Sequence, residues 1–167
     1  MDEVVTIEHP ASPRLFNSAL EVGIRVIVIL DAFFPRSLDL SELALFDYFV
    51  VHTADIGGPA SLHPEISSRN GEYFIRRRLI EDSLELMRRV HMVNIKSEKS
   101  GIKYEASDEA SAVLDLMDTP YNVKLKESAQ WLAEQASEAE SIFVARLRGM
   151  IDKWAIELGA SNAFTGG

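Results

Sequence analysis

The sequence predicts a mainly α-helical protein with one small β element, an α+β chain in which helices flank a two-stranded hairpin. Three observations carry this. Apolar residues recur at helical spacing over most of residues 17–158. The period switches to two only between Val93 and Ala106. Proline, glycine and capping residues fall at the ends of the helical runs.

The helices are justified in order. His9-Pro10 and Ser12-Pro13 disfavour helix, so residues 1–16 read as an extended lead-in. Ser18 with Glu21 forms a capping box, with Asn17 as the alternative cap. A helix then runs to about Phe34, where Pro35 stops it. Its run Val26-Ile27-Val28-Ile29 would also suit a strand, but length, caps and a Glu21–Arg25 pair at i, i+4 favour helix. Asp39 and Glu42 make a second capping box. The helix from Leu40 to His52 is apolar almost all round, broken clearly only by Asp47.

Residues 53–71 read as a long loop carrying Gly57-Gly58-Pro59 and Asn70-Gly71. From Glu72 to Val90 an amphipathic helix is predicted, with Ile75, Leu79, Leu86 and Val90 on its buried stripe, Phe74, Ile80 and Met87 widening it, and Arg76, Arg77, Glu81, Asp82, Glu85, Arg88 and Arg89 on the wet side. Val93 and Ile95, then Ile102, Tyr104 and Ala106, alternate with polar residues across a turn at Ser97–Gly101, which is a hairpin. Ser107 caps a short helix. Thr119-Pro120 opens another, and Ser137 with Glu140 opens a last one that Gly159 should end. Three helices, a hairpin and then more helices is the order of a winged helix with a C-terminal helical extension. The implied divisions are residues 1–16 as lead-in, 17–118 as a winged-helix-like core, 119–159 as the helical extension and 160–167 as a flexible tail.

The bulk numbers narrow the function classes. A length of 167 residues, 47% hydrophobic and 26% charged, gives a sizeable core and is too apolar for disorder. There is no cysteine, which removes disulfides and thiolate chemistry. Met1-Asp2-Glu3 lacks the basic start of a signal peptide. The most apolar stretch, Val26–Phe34, is too short to span a bilayer. A cytoplasmic protein with no membrane partner is expected.

Net charge is −9 and unevenly placed. Residues 1–71 carry 4 basic and 10 acidic side chains, residues 72–106 carry 8 and 6, and residues 107–167 carry 5 and 10. Only the middle segment is suited to an anion. Arg76, Arg77, Lys96, Lys99 and Lys103 are therefore the candidates for contact with DNA or an acidic partner. The acidic total argues against a free-standing DNA binder.

No phosphate-binding glycine loop, nucleophile elbow or metal motif is present, so no catalytic residue, metal or cofactor is assigned. His52, Asp55, His63 and Glu65 form the densest polar cluster, but their spacing matches no defined metal site. His52 suits the C-terminus of its helix, where a cation is favoured. The apolar surplus of the second helix, at Leu45, Phe46, Phe49 and Val50, points either to a partner interface or to a central helix covered by the C-terminal ones.

Several segments together carry a resemblance. They are Leu15-Phe16-Asn17-Ser18-Ala19-Leu20-Glu21-Val22-Gly23 and Phe46-Asp47-Tyr48, then Val51-His52-Thr53-Ala54-Asp55-Ile56-Gly57-Gly58-Pro59. Ser61-Leu62-His63-Pro64, Arg69-Asn70-Gly71-Glu72 and Arg76-Arg77 follow in order. Over about residues 14–136 the chain resembles the small middle component of ABC three-component (ABC-3C) bacterial conflict systems, which include Lamassu antiphage defence.

The resemblance implies a winged-helix adaptor without chemistry of its own. It would join a large SMC-like ABC ATPase to an effector, often a nuclease, and meet DNA only through the complex. Self-association remains open. His52, Asp55, Gly57, Gly58, Pro59, His63 and Pro64 would then form a rigid docking loop. The alternatives are a winged-helix DNA-binding transcription regulator and a metal-dependent enzyme using His52, Asp55 and His63.

Overall fold

The computed structural model describes residues 18–63, 69–138 and 140–164. The lead-in, Asn17, Pro64 and Glu65 lie outside the described residues. Six helices and one antiparallel hairpin follow one another: α1 (Ala19–Phe33), α2 (Leu40–Val51), α3 (Arg69–Arg89), β1 (Val93–Glu98), β2 (Gly101–Ala106), α4 (Asp108–Asp115), α5 (Pro120–Glu138) and α6 (Glu140–Phe164). A short 3-10 turn, Thr53–Ile56, follows α2.

Helix ends obey local chemistry. The Ser18 hydroxyl accepts from the Glu21 N–H at 3.2 Å, satisfying one orphan donor of α1. Phe34 is extended ahead of Pro35, so the helix stops there. Asp39 and Glu42 form a complete capping box at the start of α2. Between these helices Leu38 exchanges two backbone hydrogen bonds with Tyr104 of β2, at 2.9 and 2.8 Å. The resulting pairing order is Leu38, β2, β1.

α2 is the centre of the molecule. It contacts α1, α3, α5 and α6, and every residue from Glu42 to Val51 is buried. Leu45, Phe46, Phe49 and Val50 are therefore core residues, at most 1% exposed. The expectation of an outward partner interface on them fails, because α1 and α3 on some sides and the C-terminal α5 and α6 on others cover the helix. Trp154 of α6 packs with its ring centroid 5.7 Å from Tyr48 and 6.1 Å from Phe49.

α3 begins three residues earlier than its apolar period suggests and takes in Asn70-Gly71. Of its expected stripe Ile80 and Met87 are buried and Leu79 and Leu86 half-buried, but the buried face is turned towards the side expected to be wet. Arg76, Ile80, Ser83, Leu84 and Met87 point inward, whereas Ile75 and Val90 are exposed. The cause is an ion pair made by Arg76, described below. α3 ends with the Met92 N–H donating to the Met87 carbonyl and the His91 N–H to the Arg88 carbonyl. His91 takes the left-handed conformation, φ 62°, that this ending requires.

The hairpin register runs from Val93 opposite Ala106 to Glu98 opposite Gly101, so only Lys99 and Ser100 form the turn. Ser107 caps α4 and donates to the His91 carbonyl at 2.7 Å, tying α4 to the end of α3. The Ser137 hydroxyl donates back to the Glu134 carbonyl. α6 does not stop at Gly159 but continues to Phe164. A helical glycine costs about 1 kcal/mol relative to alanine, and Ala160 and Ala163 lie among its helical neighbours.

Candidate functional site

The loop after α2 folds back on itself. The Gly58 N–H donates to the Thr53 carbonyl at 2.9 Å, and the Thr53 hydroxyl donates to the Pro59 carbonyl at 2.8 Å. The Ala54 N–H reaches the Ser61 hydroxyl at 3.1 Å, and the His63 N–H reaches the Val51 carbonyl at 3.1 Å. Residues 53–63 thus close a compact loop pinned by hydrogen bonds within itself and back to Val51.

Both glycines have a physical reason. Gly57 sits at φ +78°, where a side chain is strained. Gly58 lies under the Trp131 ring of α5, and a Cβ there would stand 2.7 Å from the ring carbons. A second clamp to α5 lies four residues on from Pro59. His63 Nε2 is 2.9 Å from the Tyr121 hydroxyl, with the two rings stacked at 6.2 Å. His52, buried at the C-cap of α2, stacks against Tyr48 at 4.7 Å and meets His63 edge-on at 6.1 Å. Asp55 is half-buried and accepts a long hydrogen bond from the Tyr48 hydroxyl, 3.4 Å.

Beneath this layer lies a buried ionic triad. Arg25 Nε and Nη2 donate to the two Asp47 carboxylate oxygens at 2.8 and 3.2 Å. Arg76 Nη1 donates to Asp47 Oδ2 and to the Asp47 carbonyl, both at 3.1 Å. The Arg76 guanidinium also lies 5.8 Å from the Tyr48 ring centroid. The triad joins α1, α2 and α3 at one point.

The electrostatics follow from burial and these partners. Burial alone would raise the Asp47 carboxyl, but Arg25 and Arg76 outweigh it and hold the group below the usual carboxylate range. Arg25 is likewise held charged: burial opposes the charge, and Asp47 overcomes it. His63 is pushed down to about 4, first by burial and then by the nearby Arg76 and Arg25 charges. Its imidazole is neutral at neutral pH. Burial raises the Tyr121 hydroxyl.

The structure therefore gathers His52, Asp55, Gly57, Gly58, Pro59 and His63 into one loop, with Pro64 outside the described residues. It does not gather them as a metal site. Among the described residues no three His, Asp or Glu side chains are grouped to hold a metal ion. The loop's outer rim is made of small or rigid residues, Ala54, Gly57, Pro59 and Ala60, all exposed. Beside it a groove of about 470 Å³ is lined by Pro59, Leu62, Pro120, Tyr121 and Lys124, among others.

The cationic candidates divide. Arg76 is 1% exposed and committed to Asp47, so it is not a surface contact. Arg77 is half-buried and points to the Ser41 hydroxyl at 3.5 Å. Lys96 pairs with Glu105 at 2.7 Å, Lys99 is exposed at the turn, and Lys103 is half-buried. The exposed face of α3 carries Glu81, Asp82 and Glu85 as well as Arg78, Arg88 and Arg89. Glu85 binds both Arg88 and Arg89, and these hydrogen bonds bring its carboxyl down to about 2. That face offers no excess of positive charge to a phosphate backbone.

Sequence reasoning missed Arg25, Asp47, Tyr121 and Trp131. For the first two a signal existed. A lone arginine and a lone aspartate, each inside an otherwise apolar helix, must be paired if buried. No comparable signal marks Tyr121 or Trp131.

No helix among the described residues is long and apolar enough to cross a membrane. Comparison with curated proteins and with solved structures gives no match. A protein-family model, ABC-three component (ABC-3C) system Middle Component 2, matches residues 15–157, which take in α1 to α5, the hairpin, the loop after α2 and most of α6. The chain belongs to this family and is a middle component of an ABC-3C antiphage system.

Proposed function

We propose that this chain is a non-enzymatic, cytoplasmic adaptor. It links an SMC-like ABC ATPase to an effector subunit, such as a nuclease, and holds the effector under the ATPase's control, as in Lamassu-type defence. The observation that carries the reading is the clamped loop. Residues 52–63 are fixed to α5 by His63–Tyr121 and Gly58–Trp131, above the buried triad, and present only small, unreactive side chains at the rim. A rigid, chemically inert surface suits recognition of a partner, since little ordering entropy is lost on binding.

The scaffold reading is winged-helix-like. Supporting it are the order α1, Leu38 bridge, α2, α3, β1, β2 and the pairing of Leu38 on the outer side of β2. A DNA-binding regulator on the same scaffold would meet DNA through α3 and the hairpin. The charge-balanced face of α3 argues for the adaptor instead.

The test uses the intact operon. Full-length chain co-expressed with its ATPase and effector should co-purify with both. Ala60→Arg and Ala54→Arg, on the exposed rim, should lower recovery of at least one partner while leaving the fold intact by circular dichroism. Normal assembly of both variants would remove the loop as the docking element.

A further inference from the structure

The hairpin ends in an open strand edge. β1 pairs with β2, β2 pairs with Leu38, and among the described residues nothing pairs on the other side of β1. The register runs from Val93 to Glu98 without a bulge, and Asn94 to Glu98 are all exposed. Such an edge, about 20 Å long, is a template for another strand unless it is blunted.

Backbone geometry says which groups are offered. Tyr104 directs both its N–H and its C=O to Leu38, away from β1. Its cross-strand partner Ile95 therefore belongs to a non-hydrogen-bonded pair. By alternation the N–H and C=O groups of Val93, Ile95 and Ser97 point to the open edge. On the face these residues share, Ile95 is 49% and Ile102 58% exposed, diagonal neighbours across the hairpin. On the other face Lys96 stands directly opposite Lys103, with the Glu105 carboxylate 2.7 Å from Lys96. Like charges directly opposite are unfavourable, and a further carboxylate would relieve them.

A second copy of β1 satisfies the apolar position of this edge but not its charge. Outward-facing residues can pair only with outward-facing residues, so antiparallel overlap sets Ile95 opposite Ile95 and Val93 opposite Ser97 of the other copy, and leaves Lys96 opposite Asn94, with no added carboxylate for the Lys96–Lys103 pair.

We infer that the outer edge of β1 is a strand-addition site for an extended segment of another component of the same system. The segment carries an acidic residue opposite Lys96 and an aliphatic residue opposite Ile95. Main-chain hydrogen bonds to Val93, Ile95 and Ser97 supply affinity, and the two side-chain positions supply selectivity. This rests on the adaptor reading and adds a second docking surface to the loop.

The experiment uses full-length chain co-expressed with the other components. Ser97→Pro removes one outward N–H while sparing the β1–β2 ladder, since proline is tolerated where its nitrogen faces away from the sheet. Lys96→Glu reverses the selecting charge and covers the case in which the proline variant misfolds. Either folded variant should bind the strand-donating component at least tenfold more weakly. The Ile95 and Ser97 amides should exchange hydrogen at least tenfold more slowly in the assembled complex than in the free chain. Undiminished assembly of Ser97→Pro and Lys96→Glu, or unchanged exchange, overturns the site. Dimerisation of the isolated chain that Ser97→Pro abolishes also overturns it, by making a second copy the occupant. If the unaltered chain assembles with no other component, the adaptor reading itself fails, and this inference with it.

Discussion

Arg25 of α1 holds both carboxylate oxygens of Asp47 on α2, at 2.8 and 3.2 Å, at a point where neither side chain meets solvent. Arg76 binds the same carboxylate from α3. A single aspartate thus ties α1, α2 and α3 together at one point. Asp47→Ala would leave two buried guanidiniums without their counter-ion. Its expected cost is about 3–5 kcal/mol, read from urea denaturation. A cost below about 1 kcal/mol would show that the triad does not organise the core. Replacing all three members by apolar residues of similar size should be much less harmful than removing Asp47 alone.

Stability should depend on pH through His63. Its folded value, about 4, lies below the ordinary 6.5. The unfolded chain therefore binds a proton first as pH falls. The contribution is fully present above about pH 6.5 and is lost progressively down to about pH 4. Asp47, depressed in the fold, adds a further loss below the normal carboxylate range. Thermal melts across this window should show the fall, and His63→Phe should flatten its upper part. An unchanged slope in that variant would assign the titration elsewhere.

The close approach of Gly58 to Trp131 makes a local prediction. Gly58→Ala sets a methyl 2.7 Å from the indole and should destabilise by about 1–3 kcal/mol. It should also shift the fluorescence attributable to Trp131, isolated in a Trp154→Phe background. Wild-type stability and emission would mean that the loop does not sit under the ring.

His91 ends α3 at φ 62°, a conformation that costs an ordinary residue about 1–2 kcal/mol and glycine almost nothing. His91→Gly should raise the midpoint of denaturation by an amount worth up to about 1 kcal/mol. A loss of stability would point instead to a structural role for the imidazole.

The elements were legible in the sequence where local chemistry decides them. Ser18, Asp39, Ser107 and Pro120 mark helix starts, and the period change at Val93 marks the hairpin. Helix faces were less legible. α3 is rotated because Arg76 is drawn inward to Asp47, a contact 29 residues away that no periodicity encodes. The apolar surplus of α2 was visible, but α1 and α3 cover only part of it, and the rest of its cover comes from α5 and α6, about 70 residues or more downstream. The loop motif was legible as a cluster of His52, Asp55, glycines and His63. Its anchors, Tyr121 and Trp131, lie on a helix whose packing partner only the fold reveals. At the other end, Gly159 carried a stop signal that the helical propensity of its neighbours overrides.

As the proposed adaptor, this chain would join an ATPase to an effector. The most direct measurement is affinity purification of the tagged effector from cells expressing the system with and without this chain. The ATPase should be recovered with the effector only when this chain is present. Recovery of the ATPase and effector together in its absence would contradict it.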